Sequence, residues 1–363
     1  QAYRQPGSSF KPLVYATSID YYGKNPSKET PNITAATQFL DSPLNYILEE
    51  GEEWTPENYS MDYSGFIRLR EALVSSKNSV AVRVVEEIGL ANLLPPLTNL
   101  VKPSAGREIP KNYSVALGTF EVSPYEITKA YAAIASGGRE VFPHTIKYVK
   151  DKEDKVVLDN RNLETKEGDE LLSPEASYII TSMMQDVIRK GTGKAIIGQG
   201  LTRPAAGKTG TTNNFRDAWF VGFTAQLVTS VWMGYDIGTL SLGRGMAGGV
   251  IAAPTWGKYM VKALKGEPVK DFNYGNLNIQ KIKVCKLSGK RPGSSCKETI
   301  TEYFIPGTLD SEVCEDHKGF NPFSMDSPNT FPDDFDSNSA PKKKKNKKKK
   351  QTSNLFKGDE KID

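Results

Sequence analysis

The amino-acid sequence predicts an α+β fold, an antiparallel sheet with helices packed on it. Three observations carry that expectation. Amphipathic helical segments with clear start and stop signals recur up to Gly191. From Ala205 the texture changes to short strand-like runs joined by tight connections. A helical segment, Ala252–Leu264, then closes the series, and helices, a strand meander and a helix in that order suit an α+β domain. At 363 residues the chain can bury a substantial core, as one large domain with appendages or as two domains.

The first element starts in Gln5-Pro6-Gly7-Ser8-Ser9-Phe10-Lys11-Pro12. Gly7 permits a free backbone turn, Ser8 suits a helix start, and Pro12 is tolerated in a first turn. Residues 13–20 continue this helix. Ser8 and Lys11, three residues apart, share a helix face, so the lysine is expected one turn on and directed back at the hydroxyl. Residues 51–65, with Trp54, Pro56, Tyr59, Tyr63 and Gly65, read as an aromatic-rich loop. Arg68 to Gly89 is helical by periodicity, broken near Ser75-Ser76-Lys77-Asn78. Ser123-Pro124-Tyr125-Glu126 is a capping box with proline at the first helical position, and Gly137-Gly138 stops that helix.

Short strands are expected at Val141–Val149 and Lys155–Leu158. Ser173-Pro174 opens a helix whose buried stripe is Ile179, Ile180, Met183, Met184, Val187 and Ile188, and Gly191 ends it. Lys208–Thr212 is a candidate strand, and Ala218–Thr224 with Leu227–Tyr235 reads as an antiparallel hairpin turning at Ala225-Gln226. Beyond about residue 320 the chain becomes rich in Asp, Ser, Asn and Pro and enters a lysine block, a composition expected to be disordered.

The formal net charge of +4 is misleading. Lys342–Lys345 and Lys347–Lys350 supply eight of the 47 basic residues, and the remaining 39 face 43 acidic ones. The folded part is mildly acidic and no nucleic-acid groove is indicated. The lysine block reads as a solvated tail, the functional alternative being attraction to anionic lipid or wall polymer. No run reaches the roughly 18 apolar residues of a membrane helix. The chain starts with Gln, as a piece of a longer protein would. Cys285, Cys296 and Cys314 fall in one short stretch, without a Cys-x-x-Cys and with only two histidines in the chain, so spacing gives no zinc signature. Cys285 and Cys296 flank a Ser-Gly-Lys-Arg-Pro-Gly turn and can form a disulfide in an oxidising compartment; unpaired thiols are the alternative. Neither a cofactor nor a metal is expected.

Ser8 and Lys11 also have a chemical reading. A serine hydroxyl is a weak nucleophile until its proton is removed, and a desolvated neutral lysine can remove it. Backbone N–H groups at a helix N-terminus would meet a developing oxyanion. Ser-x-x-Lys also occurs as an ordinary helix start, so the pair alone fixes nothing. Ser76-Lys77-Asn78 begins 68 residues after Ser8, and Lys208-Thr209-Gly210-Thr211 begins 130 after Asn78. Taken singly, Ser76 and Asn78 read as capping groups at a helix break. Gly207-Lys208-Thr209 fails the phosphate-loop spacing because Thr202 stands where a glycine is required. There is no Gly-x-Ser-x-Gly elbow for a Ser-His-Asp triad.

Ser-x-x-Lys, Ser-x-Asn and Lys-Thr-Gly in this order form the signature of penicillin-binding proteins and class A β-lactamases. The resemblance extends to Gly118–Pro124, Gly191-Thr192-Gly193, Ala206–Thr212, Arg216–Phe220, Val231–Asp236 and Glu302–Gly307. These stretches look like the transpeptidase domains of class A, bifunctional penicillin-binding proteins, over residues 1 to about 317. The resemblance implies a serine β-lactamase/penicillin-binding transpeptidase-like fold. It also implies a D,D-transpeptidase that cross-links peptidoglycan stem peptides and is acylated by β-lactams.

Carried onto this chain, Ser8 attacks the D-Ala-D-Ala carbonyl, Lys11 accepts its proton and Ser76 relays one to the departing amine. Asn78 holds the substrate amide. Lys208, with Thr209 and Thr211, meets the terminal carboxylate, and Gly210 clears the strand edge for an extended peptide. The N–H groups of Ser8 and Thr211 form the oxyanion hole. The hydrolytic alternatives are a carboxypeptidase or a β-lactamase; the only Glu-x-x-x-Asn spacing after the second motif, Glu108 to Asn112, lacks the usual leucine before Asn. A non-catalytic antibiotic-binding domain is the further alternative.

The implied layout is a transpeptidase domain at 1–265, a Cys-containing extension at 266–320 and a Lys-rich tail at 321–363. Bifunctional relatives carry sheet strands, a glycosyltransferase domain and a membrane anchor upstream. Those parts are absent from this sequence, so an exposed sheet edge and lower stability are expected. Any membrane attachment would run through that absent anchor. The implied location is the periplasm, at the outer face of the bacterial cytoplasmic membrane.

Overall fold

A computed structural model describes residues 3–29, 31–47, 53–164 and 166–315. Its centre is helix α1, Lys11–Lys24, which follows a 3-10 turn at Gly7–Phe10. Phe10, Leu13, Val14, Tyr15, Ala16 and Ile19 are buried, as are Lys11, Thr17 and Ser18. A helix buried on every side lies inside the core rather than on it, and this one packs against three other α-helices.

The chain then forms short antiparallel pairs: β1, Gln38–Asp41, with β4, Gly65–Arg68, and β2, Tyr46–Ile47, with β3, Glu53–Trp54. The stretch expected as an aromatic loop therefore contains strand β3 and the start of β4. Helix α2, Leu69–Ser75, and helix α3, Asn78–Ile88, meet at Ser76-Lys77, where Ser76 adopts the left-handed φ of +61°. Helix α4, Leu90–Val101, has no counterpart among the expected elements, because Pro95 and Pro96 argue against it. It forms because Leu93, Leu97, Leu100 and Val101 bury one face in the core. Helix α5, Pro124–Ala135, starts at the predicted capping box, with both reciprocal Ser123–Glu126 bonds present.

The expected strand at 141–149 shrinks to β5, Tyr148–Lys150, which pairs with β6, Val156–Asp159, in a hairpin exposed along its whole length. Pro143 interrupts the upstream part of that run. Helix α6, Pro174–Arg189, buries the predicted stripe.

The main sheet has β7, Ala206–Thr211, β8, Asp217–Phe223, and β9, Val228–Gly234, antiparallel in the order β7-β8-β9. All seven residues of β8 are buried, as befits a central strand. Helices α5 and α7 (Ala252–Ala263) pack on β8 and β9, and α6 packs against β7. A last antiparallel pair, β10, Gln280–Cys285, and β11, Thr299–Phe304, was not anticipated as strands. It is locked to the core by Glu302, fully buried between Arg70, which it binds through both oxygens, and Arg68 at 3.8 Å. Residues 1–318 form one compact unit. The tail expected at 321–363 lies outside the described residues, as does His317. Among the described residues no helix is long and apolar enough to cross a membrane.

Candidate active site

The Gly7–Phe10 turn is seated edge-on against β7. Gly7 has φ +55° and donates its N–H to Gly118 O at 3.2 Å. A Cβ on Gly7 would lie 2.8 Å from Thr211 O, and one on Gly210 would lie 2.2 Å from Pro6 O. Two glycines thus bring two backbones into contact, and half-buried Ser8 sits at that junction. The turn is held from outside: Trp219 Nε1 donates to Gln5 O at 3.0 Å, and Tyr131 Oη to Ser9 O at 2.6 Å. Ser8 is therefore in a 3-10 turn just before α1, rather than on the helix itself. The left-handed Gly7 delays the α-helical ladder until Lys11.

Lys11 is completely buried, and its Nζ reaches the other motifs. It donates to Ser76 O and to Asn78 Oδ1, both at 2.7 Å, and lies 3.5 Å from Ser76 Oγ. Lys208 Nζ comes from the opposite side and donates to Ser76 Oγ at 2.9 Å and Thr209 O at 3.1 Å. The Ser76 hydroxyl thus stands between two buried lysines. That arrangement depends on the α2–α3 break, where the left-handed Ser76 turns both its carbonyl and its hydroxyl inward. Helical spacing alone directs Lys11 back at Ser8; in the structure its hydrogen bonds run to Ser76 and Asn78. Asn78, expected to hold a substrate amide, here has both ends of its own amide engaged, Oδ1 by Lys11 and Nδ2 by Glu57 O at 2.6 Å. Thr211 Oγ1 accepts from Gly248 N–H at 3.0 Å, and Thr209 Oγ1 contacts Thr192 Oγ1 at 2.7 Å.

Electrostatics follow from this burial. Burial holds Lys11 Nζ well below the usual lysine range, and the neighbouring Lys208 charge pushes it further down. Burial alone brings Lys208 down to about 7. Two buried amines that both release their protons more easily than an ordinary lysine are an arrangement that acid–base work can use.

Sequence reasoning missed the frame behind the Ser76 motif. Lys77 Nζ pairs with Asp41 at 3.0 Å and Asp62 at 2.9 Å, while Asn58 Nδ2 donates to Asp41 Oδ1 at 2.7 Å. Asn58 Oδ1 accepts the Asn78 N–H at 2.7 Å and so caps α3 from a distant loop. Asp41 is fully buried; burial raises its pKa, but hydrogen bonds from Ser79, Asn58, Lys77 and Ser64 outweigh that and hold it low. Glu108 and Lys111 form an exposed pair with each other at 4.0 Å.

The family described as the penicillin binding protein transpeptidase domain matches residues 1–260. The chain belongs to that family. A second match, to the C-terminal domain of penicillin-binding protein 1A, covers residues 277–319, the region of the β10–β11 pair. Penicillin-binding protein 1A of Neisseria lactamica is 39% identical over 274 residues, 74% of this chain and 32% of that protein. The Pseudomonas aeruginosa protein of the same name is 34% identical, covering 74% of this chain and 37% of its own length. The chain thus spans about a third of the curated relatives it matches.

Among solved structures, penicillin-binding protein 1A from Haemophilus influenzae superposes with a TM-score of 0.75 at 26% identity, over 86% of this chain and 49% of that one. PonA1 from Mycobacterium tuberculosis in complex with penicillin V superposes at 0.61 and 24% identity, over 75% of this chain and 72% of that one, a likeness of fold. As a penicillin-binding transpeptidase domain, this chain has the α+β architecture expected from its sequence.

Proposed function

We propose that this domain is a serine D,D-transpeptidase that cross-links peptidoglycan stem peptides and is covalently acylated by β-lactams on Ser8. The observation that carries the reading is the convergence of Lys11, Ser76, Asn78 and Lys208 from three distant parts of the chain, beside the junction where the Ser8 turn meets Gly210 and Thr211. A Lys11 amine held neutral by burial receives the Ser8 proton as Oγ attacks the carbonyl carbon of a D-Ala-D-Ala bond. That side-chain hydrogen bond is one that apo sites commonly leave unmade until substrate arrives. The N–H groups of Ser8 and Thr211 receive the oxyanion; one such donor is worth about 10²–10³ in rate.

Collapse of the tetrahedral intermediate breaks the C–N bond. Ser76, hydrogen-bonded to Lys208 and 3.5 Å from Lys11, passes the proton to the departing D-Ala amine. Lys208 in its protonated form, with Thr209 and Thr211, holds the terminal carboxylate. Asn78 orients Lys11 in the resting site and offers its amide to the substrate once bound. An amine from a second stem peptide then attacks the ester and forms the cross-link. Water in that role would make the protein a carboxypeptidase.

The test is partitioning of the acyl-enzyme. With a stem pentapeptide ending in D-Ala-D-Ala and a D-amino acid as acceptor, transpeptidation gives one released D-Ala per acceptor incorporated. Release without incorporation favours the hydrolase, and rapid penicillin turnover favours a β-lactamase. No release and no adduct favours a non-catalytic binding domain.

A further inference from the structure

We propose that Cys285, Cys296 and Cys314 form a metal site that takes one zinc ion. Their three sulfurs lie within 4.8 Å of one another, although the residues come from the end of β10, the following loop and the segment after β11. Cys285 and Cys314 are buried, and Cys296 is partly open, which leaves a path for an ion to enter. A disulfide staple requires two sulfurs, whereas here a third is brought to the same point. Thiolates bind zinc at about 2.3 Å, so tetrahedral ligands stand roughly 3.8 Å apart. The three sulfurs, within 4.8 Å of one another, stand near that spacing.

The backbone around the sulfurs is built for such a site. Cys285 closes β10 into a tight turn: its N–H donates to Lys290 O at 2.8 Å, and Gly289, at φ +73°, donates to Cys285 O at 2.9 Å. This turn aims the Ser288 N–H at Cys285 Sγ, 3.5 Å away, the kind of outer-shell donor that steadies a metal-bound thiolate. Cys314 N–H donates to Arg291 O at 2.8 Å and Cys296 N–H to Gly293 O at 3.1 Å. Gly293 lets the two segments touch, since a Cβ there would fall 2.5 Å from Cys314 O.

Charge points the same way. From Lys281 to Lys297 the chain carries six basic residues and no acidic one. Lys286 is paired with Glu298 at 2.8 Å and Lys290 with Glu312 at 2.6 Å. Zinc replaces three thiol protons, so the tris-thiolate complex keeps one net negative charge, in a segment whose other basic residues are Lys281, Lys283, Arg291 and Lys297. An all-sulfur donor set selects zinc over magnesium or calcium, and water completes the fourth position. The ion would clasp the 285–290 turn, whose Gly289 presses on Ala36 O and whose Lys286 O accepts from Arg68 Nε at 2.8 Å. Arg68 leads directly into α2 and the Ser76 motif, so the clasp would brace the active-site helix from behind.

The test uses the whole chain, purified under reducing conditions without chelator. Elemental analysis with native mass spectrometry should find one zinc per chain. Cobalt(II) added to the apo chain should give thiolate-to-metal charge-transfer absorption that zinc abolishes. Zinc should slow iodoacetamide labelling of the cysteines at least tenfold, and a chelator should restore it. Each of Cys285→Ser, Cys296→Ser and Cys314→Ser should cut zinc occupancy to less than a tenth. The metal and labelling measurements on the unaltered chain keep the test valid if a variant fails to fold. Binding of less than a tenth of an equivalent at excess zinc would overturn the proposal. So would a chain purified without reductant that is two hydrogens lighter, with two of the three cysteines recovered as one cross-linked peptide.

Discussion

Lys208 is a residue of the proposed active site that costs the fold stability. It is fully buried, and burial brings its pKa from 10.5 to about 7. At about 1.4 kcal/mol per unit, that difference is a folding penalty of about 5 kcal/mol. The sign follows from proton counting. Between pH 7 and 10.5 the unfolded chain holds a proton that the folded chain has released, so stability rises with pH through that window. The penalty is fully present below pH 7 and has vanished above 10.5. Lys208→Met removes it and also removes the bonds to Ser76 Oγ, Thr209 O and Thr209 Oγ1, each worth about 1 kcal/mol. The variant should therefore be more stable than the parent by about 2 kcal/mol at pH 7. At pH 7 it should melt a few degrees higher, and the order should reverse towards pH 10, where the penalty is nearly gone and only the lost bonds remain.

The same variant should be acylated by penicillin ten- to a hundredfold more slowly, the loss of a charge-assisted bond of about 1.5–3 kcal/mol to the carboxylate. Melting curves across pH, paired with fluorescent-penicillin labelling, read both effects. A variant that melts at or below the parent at every pH, or that is acylated at the parental rate, would refute the reasoning.

Three further outcomes are expected. Asn78→Ala frees Lys11 Nζ from its 2.7 Å partner and should slow acylation about tenfold or more with little change in melting, checked by stopped-flow labelling. Gly210→Ala puts a Cβ 2.2 Å from Pro6 O, so the strand and the Ser8 turn must separate; thermal unfolding should report a loss of about 1–3 kcal/mol together with slower acylation. The second-order acylation constant should be bell-shaped in pH. It should rise as Lys11 gives up its proton at its depressed pKa and fall as Lys208 loses its charge near about 7; a profile flat from pH 5 to 9 would contradict both roles.

Much of this architecture was legible because the signals are local. The capping box at Ser123–Glu126, the stripe along α6 and the hairpin turning near Ala225-Gln226 each follow from residues close together in the chain. The break at Ser76-Lys77 was readable too, although its left-handed geometry was not. What escaped was long-range. The Asp41–Asn58–Lys77 frame consists of polar residues that look like ordinary loop positions until folding buries them together. Helix α4 forms against the local bias of Pro95 and Pro96 by burying Leu93, Leu97 and Leu100. The cysteine cluster shows no ligand spacing along the chain, because a hairpin and the segment after it assemble it. The structure brings Lys11, Ser76, Asn78 and Lys208 of the three motifs together, but spacing along one helix did not give the hydrogen-bond partners of Lys11, which the α2–α3 break supplies.

The central claim is that Ser8 is the acyl acceptor. Incubating the chain with penicillin, then digesting it and mapping the adduct by mass spectrometry, tests this most directly. One adduct per chain is expected on the peptide carrying Ser8, and none on a Ser8→Ala chain that melts like the parent. An adduct on another residue, or equal labelling of the Ser8→Ala chain, would contradict it.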